Sequence, residues 1–107
     1  MRDFPERDWK VFKQVQPLAT NRYCERTLQE VERLLAKEGQ EPAERFEAVA
    51  KLIKDRRKEL WGELADYRRS SALFQIVRFY GLGLLREEEL AGFSPETQQI
   101  VLHLRNR

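Results

Sequence analysis

The chain is short of the residues that staple, bend or load a fold. It has one cysteine in 107 residues, so an internal disulfide is excluded, and no cysteine or histidine spacing suits a structural zinc site. A single histidine removes the Glu-x-x-His pairings of di-metal bundles. Glycine and proline number five and four, too few for a collagen-like or low-complexity chain. Charge of one sign is also lacking: 20 Lys and Arg stand against 18 Asp and Glu, a net of +2. No bulk field therefore draws the chain to nucleic acid or an anionic membrane, and such a role needs a local patch. No apolar run approaches the ~18 residues of a membrane span. The opening Met1-Arg2-Asp3-Phe4-Pro5-Glu6 lacks the apolar core of a signal peptide, which makes the cytoplasm the expected location.

What remains is rich in helix formers. Leu, Glu, Arg, Lys, Ala and Gln dominate, and straight side chains lose little rotamer freedom in a helix. With 41% hydrophobic and 36% charged residues, the composition is that of one globular domain over 1–107 with a charged surface.

The prolines read as helix starts, since a first-turn residue has no use for its N–H. Asp3 and Glu6 resemble a capping box for a short helix over 5–15 bearing Trp9, Phe12 and Val15. Pro17 then breaks the chain at Gln16 and opens a second helix to about 38. Its inner stripe is Cys24, Leu28, Val31 and Leu35, flanked by Thr27 and Leu34, with Arg22, Arg26, Gln29, Glu30 and Arg33 outside. Gly39 suits the helix end because it accepts positive φ.

Pro42 opens a third helix whose face holds Phe46, Val49, Ala50, Ile53, Leu60, Leu64 and Tyr67, with Trp61 at its edge. A link of about four residues predicts antiparallel packing against the second helix. Near residue 70 the apolar face reverses: Leu73, Ile76, Val77 and Tyr80 point away from Ile53, Leu60 and Leu64. Residues 43–80 are either one helix with two partners or two helices. The simpler reading is a break at Arg69-Ser70-Ser71 with a serine as N-cap. A helix over 72–80, apolar almost all round, ends at Gly81 and Gly83. A short turn follows over 86–91, then a last helix from Ser94-Pro95 to about Leu104 with Ile100, Val101 and Leu104 inside. The fold class is all-α, a small bundle of four to six helices on a long antiparallel hairpin.

No pattern carries a recognisable chemistry. Gly81-Leu82-Gly83 follows a helix, not a strand, and fails as a nucleotide loop. Cys24 needs a base, and His103 is the one candidate, with nothing in the sequence to bring them together. The acids Asp55, Glu59, Glu63 and Asp66 read as a solvated face. No catalytic residue, cofactor or metal ligand is assigned, and the chain is expected not to be an enzyme.

Three constellations remain as candidates. The apolar segment 72–85, with Phe74, Arg78, Phe79, Tyr80 and Leu82, is either internal core or a surface for a protein partner or self-association. Arg57 falls on an apolar stripe. Its methylenes either lie on the core with the guanidinium at the rim, or the group is buried against a carboxylate or an anion. Lys54, Arg56, Lys58, Arg68 and Arg69, with Arg57, form a basic run for phosphate, the weaker nucleic-acid alternative. The last two helical segments offer Gln98, Gln99, His103 and Arg105 in a helix-turn-helix-like order, but Glu96 repels phosphate. The expected function is a small non-enzymatic interaction module, possibly homodimeric.

Overall fold

A computed structural model describes residues 4–66 and 68–105, so Asp3 and Tyr67 of the patterns above lie outside the described residues. The described residues form five α-helices and no strand: α1 Glu6–Ala36, α2 Pro42–Glu59, α3 Ala72–Gly81, α4 Glu87–Leu90 and α5 Pro95–Leu104. The all-helical class thus follows the sequence reading.

The first correction concerns Pro17. It does not separate two helices, because α1 runs through it unbroken for 31 residues. Proline deprives the Lys13 carbonyl of its donor. Burial offsets that loss: Phe12, Val15, Ala19, Tyr23 and Thr27 follow one another at three- and four-residue spacings, and all are buried, as is Gln16 beside them. A break at Gln16 would put the two halves of this stripe out of register.

The second correction is which stripe faces inward beyond Pro17. Ala19, Tyr23 and Thr27 are buried, Cys24 is half-buried, and Leu28 and Leu35 are exposed. Arg22, expected outside, turns inward to Glu89.

α2 begins at Pro42, where the Glu41 N–H donates to the Glu44 carboxylate at 3.1 Å. Gly39, at φ +84, makes the turn before it. None of the residues of α2 is buried. Its contacts to α1 succeed one another along the pair. The Arg45 guanidinium donates to the Leu35 carbonyl, Arg56 pairs with Glu30 at 3.0 Å, and the Tyr23 hydroxyl donates to Glu59.

The helix that starts at Pro42 widens into a π-turn over Leu60–Leu64, closed by Ala65 N–H on the Leu60 carbonyl at 2.7 Å. It is this turn, carrying Gly62, that ends the helix, several residues before the serines. Among the described residues, 43–80 are therefore two helices, separated by non-helical Ala65, Asp66 and Arg68 and a 3-10 turn, Arg69–Ser71. Ser71 occupies the N-cap position of α3 without a capping bond. Its hydroxyl donates to the Arg68 carbonyl and accepts from Gln75. The buried Gln75 holds the link by donating to the Asp66 carbonyl and accepting from the Asp66 N–H.

The core gathers the first two-thirds of α1, the π-turn and the C-terminal helices. Phe12, Leu64, Ile76, Phe79, Leu84, Phe93 and Val101 are its largest fully enclosed apolar side chains. Gly83, at φ +74, turns the chain out of α3. Ser94 caps α5 as the sequence predicts, accepting from Thr97 N–H. Of the expected inner face of α5, Val101 is buried, whereas Ile100 and Leu104 are exposed.

Candidate interaction surface

From Leu28 to Glu59 no residue is buried, so the tip of α1 and all of α2 form an arm without a core of their own. Helical spacing puts Cys24, Leu28, Val31 and Leu35 on one stripe of α1. The same rule puts Phe46, Ala50, Ile53 and Arg57 on one stripe of α2. The two stripes meet at a groove of about 250 Å³ whose walls include Cys24, Leu28, Ile53, Arg57, Leu60 and Trp61. That volume is under the ~300 Å³ at which small-molecule sites begin. In its walls Leu28 and Trp61 are each more than half exposed, and beyond it along the same stripes Leu35 is 52% and Phe46 72% exposed. Isolated exposed apolar residues are ordinary on any protein, but a run of them along one groove is not.

The segment 72–85 divides. Phe79 and Tyr80 are buried in the core and offer nothing to a partner. The Tyr80 hydroxyl donates to Glu87 at 2.6 Å and accepts from Arg105, and the bond to Glu87 holds its phenol above the ordinary value. Phe74 is 59% exposed, and Leu82 is exposed at the turn. Phe74 shares a depression with Trp61, so it continues the arm's groove instead of founding a separate surface. The Arg78 guanidinium lies 6.0 Å from the Phe74 ring centre and 4.0 Å from Glu59. This division was illegible in the sequence because Phe74 and Phe79 flank the Leu73, Ile76, Val77 and Tyr80 stripe symmetrically, one on each side.

Arg57 is exposed and lines the groove, so it is not buried against a carboxylate. The basic run disperses. Arg56 pairs with Glu30, Arg68 with Asp66 at 2.7 Å, and Arg69 with Glu6 and the Phe4 carbonyl. Arg68 holds the Asp66 carboxyl below its usual range. Lys54 and Lys58 are exposed on α2. A patch whose arginines already hold carboxylates releases few counterions on meeting a phosphate backbone.

Cys24 lines the arm's groove, whereas His103 lines a different depression on α5 with Glu96, Gln99 and Ile100. The two do not share a concave site. Among the described residues no group of three or more His, Cys, Asp or Glu is placed to hold a metal ion. No helix among them is long and apolar enough to cross a membrane.

Sequence reasoning missed two polar junctions that fasten the C-terminal segment to α1. The fully buried Asp8 accepts from Ser94 N–H at 2.7 Å, Ser94 Oγ at 2.7 Å and Thr97 Oγ1 at 2.6 Å. Arg22 donates two hydrogen bonds to Glu89, at 2.6 and 2.8 Å, and a third to the Leu84 carbonyl. Those bonds hold the Glu89 carboxyl below its ordinary value. Arg26 adds a bond to the Leu82 carbonyl at 2.7 Å. At Tyr23, burial first and the bond to Glu59 second push the phenol well above its ordinary value. With every polar member engaged, these junctions read as structural, and the arm's groove is the surface left over.

Compared with protein-family models, curated proteins and solved structures, the chain matches none.

Proposed function

We propose that this protein is a small non-enzymatic interaction module that docks the apolar groove of its arm against a protein partner. The observation carrying this reading is the unburied stretch 28–59, where Leu28, Leu35 and Phe46 stand exposed on a helix pair with no core of its own. A pair of helices needs another layer to bury such faces. In this reading α1 and α2 are an antiparallel hairpin. Support comes from the order of their contacts, in which Leu35, Glu30 and Tyr23 meet Arg45, Arg56 and Glu59 in turn. Trp61 and Phe74 extend the docking face toward the body, so the apolar surplus after residue 70 contributes Phe74 alone. A half-buried thiol on the face suits a reducing compartment such as the cytoplasm. The nucleic-acid alternative draws no support from the geometry, because Arg56, Arg68 and Arg69 are engaged within the chain.

The test is the pair Phe46→Glu and Leu35→Glu. Both side chains are exposed, so thermal midpoints stay near wild type, exposed substitutions falling within about 0.5 kcal/mol. An anilinonaphthalene sulfonate dye added to dilute wild-type protein fluoresces on the groove, and both variants lose that signal. A signal indifferent to both substitutions ends the reading.

A further inference from the structure

We infer that the occupant of this groove is a second copy of the chain, laid antiparallel along α2 about a two-fold axis beside Ala50. The inference rests on the docking reading above and adds the identity of the partner.

Charge along α2 is polarised. Its N-terminal end carries Glu41, Glu44 and Glu47, all exposed. Its C-terminal half carries Lys51, Lys54, Arg57 and Lys58, also exposed. Lys51 and Asp55 pair with each other at 2.7 Å, which leaves Lys54, Arg57 and Lys58 as the basic excess. Arg45, the cation at the acidic end, reaches back to the Leu35 carbonyl at 3.1 Å. Two such helices side by side in parallel set acid on acid and base on base. Antiparallel, each acidic end meets the other copy's basic half, and the match occurs twice.

Register follows from side-chain size and spacing. Glu47, Lys54 and Lys58 flank the Phe46, Ala50, Ile53, Arg57 stripe on the side away from α1. Setting Glu47 of one copy beside Lys54 of the other brings Ala50 next to the axis. A small residue there lets the helices approach to about 8 Å. Phe46 of each copy then covers Ile53 and the methylenes of Arg57 of the other. The reach is sufficient: 18 residues of α2 make a face about 27 Å long, and two helices make it about 20 Å wide. That is on the order of 500 Å² in projection before side-chain relief, approaching the ~800 Å² per partner of a standard interface.

The experiment is sedimentation equilibrium of the full chain from about 1 µM to about 1 mM, a range that brackets a weak dimer. Wild type is expected to dimerise within it, and more weakly as salt is added. Phe46→Glu raises the dimer dissociation constant at least about 30-fold, as loss of a central anchor does. Glu47→Lys and Lys54→Glu each raise it about tenfold, and the double reversal recovers most of that loss. Circular dichroism melts confirm that each variant folds. A wild type monomeric throughout overturns the inference, as does a dimer indifferent to Phe46→Glu. A double reversal no tighter than the singles overturns the antiparallel register. A monomer whose arm still lights the dye overturns self-pairing while leaving the docking reading intact, whereas a monomer with no dye signal from the arm removes both.

Discussion

Asp8 sits in the first turn of α1, 86 positions from the serine whose N–H and hydroxyl it accepts. A buried carboxylate is costly unless its oxygens are satisfied, and three donors from Ser94 and Thr97 satisfy them. The junction ties the start of the chain to the N-terminus of α5. Asp8→Ala strands those donors and is expected to cost about 3 kcal/mol, read as a lower urea midpoint at unchanged slope. A loss under about 1 kcal/mol would mean that water replaces the carboxylate. Glu89 has a signature in pH. Its folded pKa lies below the ordinary carboxylate value because of the Arg22 hydrogen bonds. The stability it contributes is therefore fully present above the unfolded value and is lost as pH falls through the folded one. Stability measured across the acid range should fall less steeply in Glu89→Gln than in wild type. Neither junction was legible in the sequence. Asp8 belonged to no pattern and Arg22 read as one of several outer cations, because pairing across such distances leaves no local signal.

At the scale of elements, proline was the signal most easily misread. Pro5, Pro42 and Pro95 stand at helix starts, where a missing N–H costs nothing. Pro17 has the same local chemistry, and only the buried stripe running through it reveals that it is interior. Removing it should therefore stabilise the protein: Pro17→Ala restores a donor for Lys13 and is expected to gain about 2 kcal/mol in a thermal or urea melt. If Pro17 instead ended one helix and began another, the substitution would gain little. The reversal of apolar face near residue 70 was legible, and it corresponds to a true break. Its place was not, because the π-turn at Leu60–Leu64 packs on α3 and Gln75 of α3 clamps Asp66, contacts that no local pattern announces.

At the scale of the molecule, the shape is elongated, 52 × 25 × 23 Å. A 31-residue helix is about 46 Å long, so α1 spans most of the long dimension and belongs to both body and arm. Its first two-thirds are covered by α3 to α5 and the π-turn, and the rest has only α2 beside it. The sequence by itself determined that the chain is helical. It also determined where helices begin at Pro42 and after Ser94, and where Gly39 and Gly83 turn the backbone, because propensity, caps and positive φ act over a few residues. Only the tertiary structure decided that α1 passes through Pro17, that Tyr23 and Thr27 are buried in place of Leu28 and Leu35, and that Phe79 enters the core while Phe74 does not. The reason is physical: a hydrophobic period names the faces a helix could bury, but the face it does bury is chosen by partners far along the chain.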